Sequence, residues 1–228
     1  MKRILAFLLV AVMALTLLAS CAEDGVSQVA KYYENSAPNK IVAVSTQQFG
    51  SHLIDMTTTI TKGYVNAKDA ATKTVVGKRM RSLEEGSGDT VHAYIEDIDT
   101  TEWYVDGMGV STDKGYTWDA YGETFVPEAG LIAINLDKAL LEEVSYVDNT
   151  LEFKVAKDNV AAVFSDSIED MTGDVECKIY DDGAVVTGIT VTWTLPADAD
   201  ENFIGEDMEI SIVVTYTYDL ERLNITLK

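Results

Sequence analysis

The sequence predicts a mainly β protein, a curved antiparallel sheet or half-barrel with two short helices packed on one face. From Lys40 onward, β-branched and aromatic residues recur in short runs separated by Gly, Asp and Asn. Several runs alternate apolar and polar residues with a period of two, which no helix gives. Helical spacing is confined to two segments past the middle, and the three prolines, at 38, 127 and 196, all fall in candidate turns.

The first 20 residues stand apart. Lys2 and Arg3 form a positive start, Ile4 to Leu18 an apolar stretch of signal-peptide length, and Ala19-Ser20 the small residues a signal peptidase needs. The stretch is short for a bilayer span. Leu18-Ala19-Ser20-Cys21 resembles the lipobox of bacterial lipoproteins, and the resemblance implies diacylglycerol on the Cys21 sulfur with cleavage before it. The alternative is an ordinary secretory peptide cut near Ser20. Cleavage deletes only Lys2 and Arg3 among the charges, so 208 residues remain and the net charge goes from −21 to −23. A nucleic acid or an anionic surface would repel such a domain.

The organisation read from this is a signal peptide over 1–20, a lipidated tether over 21–37 and one β-rich domain over 38–228. Glu23, Asp24, Gly25, Ser27 and Gln28 offer little to pack, so the segment from Ala22 to Ser36 reads as an extended tether reaching ~50 Å. In the domain, Ile41 to Thr46, Leu53 to Thr61, Thr72 to Leu83 and Trp103 to Val110 read as strands, with Gly50-Ser51 and Asp106-Gly107 as turns. Leu136, Leu140, Leu141 and Val144 follow helical spacing. So do Val160, Val163, Phe164, Ile168 and Met171, with Asp158 as N-cap. Thr150 to Ala156 is a strand between them.

Val175, Cys177 and Ile179 alternate with polar partners before Asp181-Asp182-Gly183, a hairpin turn signal. The return strand places Ile189, Val191, Trp193 and Leu195 on one face and threonines on the other. Ile210 to Leu220 alternates at even positions, whereas Leu223, Ile225 and Leu227 are odd, which predicts a bulge near Glu221-Arg222 that keeps them on the same face.

A strand meander with two helices past its middle, behind a lipid anchor, resembles the half-barrel lipoproteins of the LolA/LolB and LppX group. The likeness covers about residue 38 to the end as an order of elements and carries over no binding residue. It implies a concave sheet face that takes up acyl chains. Tyr33-Glu34-Asn35-Ser36-Ala37-Pro38, Leu195-Pro196-Ala197-Asp198 and Thr215-Tyr216-Thr217-Tyr218 are also similar to uncharacterised lipoproteins of Gram-positive gut bacteria.

Catalytic constellations are weak. His52 and His92 are the only histidines and no Gly-x-Ser-x-Gly elbow accompanies them. Two histidines and one distant thiol lack zinc spacing. Asp198, Asp200, Asn202 and Glu209 match positions one, three, five and twelve of a calcium loop, but Phe203 stands where the sharp turn needs glycine, and a solvated acidic loop is favoured. Among 38 acidic residues no carboxylate pair is singled out for glycoside hydrolysis. Glu84, Glu85, Glu96 and Asp97 read as charges that protect sheet edges. With Cys21 lipidated, Cys177 has no disulfide partner and reads as buried and inert.

Trp103, Tyr104, Tyr116, Trp118 and Tyr121 have three readings: cross-strand pairs of the sheet, the lining of an apolar pocket, or a flat platform for sugars. The expectation is therefore a non-catalytic envelope lipoprotein without cofactor, anchored through Cys21 outside the cytoplasm, that binds a lipid or acylated molecule in a concave sheet face. The alternatives are a cell-surface glycan- or protein-binding accessory and a structural envelope component.

Overall fold

The computed structural model describes residues 25–49, 52–64, 70–83, 91–105, 109–114, 116–119, 130–164, 173–196 and 207–225, and the side chains at 49, 52 and 70–99 stand outside that description. Eleven strands form one sheet: β1 Lys40–Phe49, β2 His52–Tyr64, β3 Ala70–Leu83, β4 Val91–Val105, β5 Gly109–Ser111, β6 Glu142–Val147, β7 Thr150–Val155, β8 Val175–Asp181, β9 Val186–Leu195, β10 Met208–Thr217 and β11 Glu221–Arg222. Their spatial order is β5-β4-β3-β2-β1-β10-β9-β8-β7-β6, with β11 beside β2. The sheet is open and curved, as the sequence predicts. Every pairing is antiparallel except β11 with β2.

Residues directly opposite in an antiparallel register share a face. Leu151 therefore lines up with Ile179 and Ile189, and Phe153 with Cys177 and Val191. Val214 joins the Ile189 row from β10. These side chains form the floor of the main core, and Leu151, Ile179, Ile189 and Val191 are fully buried. We call this the inner face. The predicted hairpin from Val175 to Leu195 is present, closed by Asp182 to Val185: Gly183 takes φ +88°, and Asp182 Oδ1 accepts the amides of Ala184 and Val185 at 3.0 Å.

Four expectations need correction. The first concerns the segment from Ala22 to Ser36, which is not an extended tether where it is described. Residues 25–35 form a helix, α1. Val26 and Val29 face the core at 2% and 0% exposure, with Tyr32 and Tyr33 packed beside them. That stripe has helical spacing, which the polar residues between obscure. Gly25 makes the approach possible, since a Cβ there would lie 2.3 Å from Tyr146 Cβ.

The second concerns Leu136 to Val144. Asp137 caps a single 3-10 turn, Lys138–Leu140, by accepting the Ala139 amide, and the chain then enters β6. The separation of four between Leu140 and Val144 is one helical turn and also twice the strand period. Propensity could not choose, and pairing with β7 did.

The third concerns the cap of the next helix, α2, Val160–Phe164. It buries Val160, Val163 and Phe164 as predicted, while Ile168 and Met171 lie outside the described residues. Asp158 sits inside a preceding 3-10 turn and is not its cap. The carboxylate serving this entry is Asp174, whose Oδ1 accepts the Lys157 amide at 2.9 Å.

The fourth concerns the C-terminal parity flip. No bulge returns Leu223 to the inner face. The chain leaves β10 at Thr217, Leu220 is exposed, and β11 pairs with Gly63 and Tyr64 where β1 has ended. Leu223 then packs with Val105, Trp118 and Ile225 in a second, small cluster. Gly63 admits this crossing, because a Cβ would meet the Glu221 carbonyl at 2.3 Å.

Beyond the predicted strands, β4 runs from Val91, well before Trp103. β5 covers only Trp103 to Val105, so Glu96 and Asp97 lie on a stretch of β4 with no outer partner strand among the described residues. That placement fits edge protection by charge.

Candidate functional site

Among the described residues, the cover of the inner face is fullest over β6 to β10 and thins across β1 and β2. α1, the segment 131–136 and α2 lie over β6 to β10, held by polar ties as well as packing. Tyr33 Oη donates to the Ile132 carbonyl at 3.2 Å, and the Ile132 amide donates to Tyr216 Oη at 3.1 Å. The Asn135 amide donates to the Val163 carbonyl at 2.7 Å. Tyr146 Oη donates to Asp181 Oδ2 at 3.0 Å beside the start of α1. Burial raises the pKa of Tyr33 and pushes Tyr216 up to about 12. Tyr146 reaches about 12 through desolvation and its bond to Asp181. These phenols stay neutral and act as hydrogen-bonding staples for the plug.

Across β10, β1 and β2 the cover gives out. Four rows cross these strands in register: Tyr216-Ile41-Ile60, Val214-Ala43-Thr58, Ile212-Ser45-Met56 and Ile210-Gln47-Ile54. In the second row Val214 is 3% exposed, while Ala43 and Thr58 are half-buried. In the third, Ile212 is half-buried and Met56 is 42% exposed. The first row is sealed, with Tyr216 and Ile41 buried, so the open strip spans ~10 Å across three strands and ~14 Å along the last three rows. Its apolar members are Ile54, Met56, Ala43 and Ile212, and Ser45 and Gln47 give it two polar positions. A strip of this kind can bury a flexible apolar chain.

A concavity lies on the other face. It is a depression of about 440 Å³ bordered by Lys154, Asp174, Glu176, Thr192, Thr194 and Glu209. Lys154 Nζ lies 2.7 Å from Glu143 and 3.8 Å from Glu176. Its polar rim suits water better than an acyl chain. Trp193 also borders it, and its buried Nε1 has no hydrogen-bond partner among the described residues.

Two of the aromatic residues singled out in the sequence, Trp103 and Tyr104, stand on opposite faces of the sheet. Trp103 pairs with Lys73 and Ser111, Tyr104 with Thr72 and Val110, and adjacent strand positions face opposite ways. Both are buried at 6% exposure, so Trp103 cannot belong to an exposed platform. Tyr104 Oη donates to Glu102. Trp118 packs on the Val105 and Leu223 cluster, and Tyr116 is 62% exposed. Tyr121, Cys21, Asp198, Asp200 and Asn202 lie outside the described residues. Glu209 is exposed on the outer face of β10, and among the described residues no group of three or more metal-ligating side chains is assembled. Cys177 is buried, and burial pushes its thiol pKa far up.

Sequence reasoning missed the open strip. Its signal is the even series Ile54, Met56, Thr58, Ile60, in which methionine interrupts a threonine-rich strand. Exposure of that series depends on where the plug ends, and periodicity does not report this.

No protein family and no curated protein matches the sequence. Among solved structures, the chain is similar to LprF from Mycobacterium bovis, with TM-score 0.36, 9% identity, 89% of this chain covered and 97% of that one. It is also similar to a DUF1329 family protein from Desulfovibrio piger, with TM-score 0.25, 11% identity and coverage of 88% and 95%. At these scores neither likeness assigns a residue or an activity to this chain.

Proposed function

We propose that this chain is a non-catalytic envelope lipoprotein, anchored through Cys21 on the extracytoplasmic side of a membrane, whose open inner strip binds a lipid or acylated molecule. The observation that supports the ligand class is the exposure of Met56 on β2, in register with half-buried Ile212 of β10 across Ser45, at the margin of the main core. A bilayer core of ~30 Å holds two acyl chains end to end, so one chain is ~15 Å long, close to the length of the strip. Binding would remove from water apolar surface that the fold leaves uncovered.

The test is native mass spectrometry of anchor-free protein purified from cells without refolding. Wild type is expected to carry a lipid-sized adduct. Met56→Glu, at an exposed position, should keep the wild-type melting temperature and lose the adduct. Absence of any adduct from wild type, together with no displacement of a fluorescent fatty acid added to it, removes the lipid reading.

A further inference from the structure

The close seating of α1 has a consequence for how the anchored domain sits on its membrane. Gly25 is wedged against Tyr146 and Val26 is buried, so the chain is fixed to the domain from residue 25 onward. Cys21 precedes Gly25 by four residues, a separation of at most ~14 Å even when fully extended.

The sheet has two ends. At the end near Gly25 are the β6–β7 turn, with Val147, Asp148 and Asn149, the β8–β9 turn, and the junction of β10 with β11. At the other end β3 connects to β4 through 84–90, and β9 to β10 through 196–207. β10 alone separates the two ends by ~30 Å.

We propose that the domain rests on the bilayer with the Gly25 and Tyr146 end against the headgroups and the start of β10 away from them. This rests on the reading of Cys21 as the lipidated residue. The short leash selects the end, because it holds Gly25, and Tyr146 beside it, within ~14 Å of the anchored sulfur. Val147, 64% exposed at the tip of the β6–β7 turn, is the apolar side chain that this orientation brings to the interface.

The experiment uses the full-length lipidated protein in vesicles of phosphatidylcholine and phosphatidylglycerol that carry an acceptor-labelled headgroup. A donor dye is placed on Asp148→Cys or on Glu209→Cys, both exposed positions, while Cys177 stays buried. Energy transfer from the Asp148 site should exceed that from the Glu209 site about twofold or more, given the ~30 Å between them. A long Gly/Ser insertion between Asp24 and Gly25 should abolish the difference. Equal transfer from both sites in protein whose Cys21 peptide carries the lipid mass overturns the orientation and leaves the anchor standing. A Cys21 peptide without lipid, in protein that does not bind vesicles, overturns the anchor and the orientation with it.

Discussion

Val29→Ala measures whether α1 belongs to the core. Val29 is fully buried among the side chains that cover β6 to β10. Truncation removes two methyl groups, about 1.6 kcal/mol of lost burial at ~0.8 kcal/mol each. The cavity left behind adds to this, because neighbours held by the sheet relax only in part, and the total comes to about 2–3 kcal/mol. Lys31 is exposed on the same helix, so Lys31→Ala should stay within about 0.5 kcal/mol. For a domain of this size 1 kcal/mol shifts the midpoint by about 2–4 °C, so Val29→Ala should melt about 4–12 °C below wild type. The assay is thermal and urea unfolding of protein beginning at Ala22. An extended tether predicts no loss from either substitution. If Val29→Ala behaves like Lys31→Ala, the seating of α1 and the short leash derived from it are both wrong.

Two further predictions concern titratable groups in the same core. Cys177 is buried with its thiol pKa pushed up, so a thiol reagent should label native protein about 10³-fold or more slowly than the denatured chain, and labelling that approaches the free-cysteine rate would show that the core opens locally. Tyr146 and Tyr216 titrate at about 12 in the folded protein, against about 10 in an unfolded chain. A raised folded-state pKa gives stability that is fully present below pH ~10 and is lost as pH rises through ~12. Urea midpoints should therefore fall across that window and Tyr216→Phe should fall less steeply; a flat wild-type profile contradicts the buried, neutral phenols.

Much of the architecture was legible because a two-residue period reports a half-buried strand directly. The hairpin from Val175 to Leu195 shows this, since its alternation appears unaltered as the floor of the core. Reading failed where one spacing fits two structures, as at Leu140 and Val144, or where polar residues dilute an apolar stripe, as between Val26 and Tyr33. It failed again at Leu223, because a change of parity records that the chain leaves its face without saying where it goes. The aromatic residues show the limit most plainly: Trp103 and Tyr104 are adjacent in sequence, and the pleat sends them to opposite sides of the sheet.

By itself the sequence determined the β class, the strands β7 to β10, the buried thiol and the acidic balance, because each follows from composition or from a local period. Only the tertiary structure decided which apolar residues remain uncovered. Ile41 and Met56 both belong to alternating strands and share the inner face, yet one is buried and the other open. The difference is the reach of α1 and the segment 131–136 across the curved sheet, a matter of which distant elements pack together, and no local pattern encodes it.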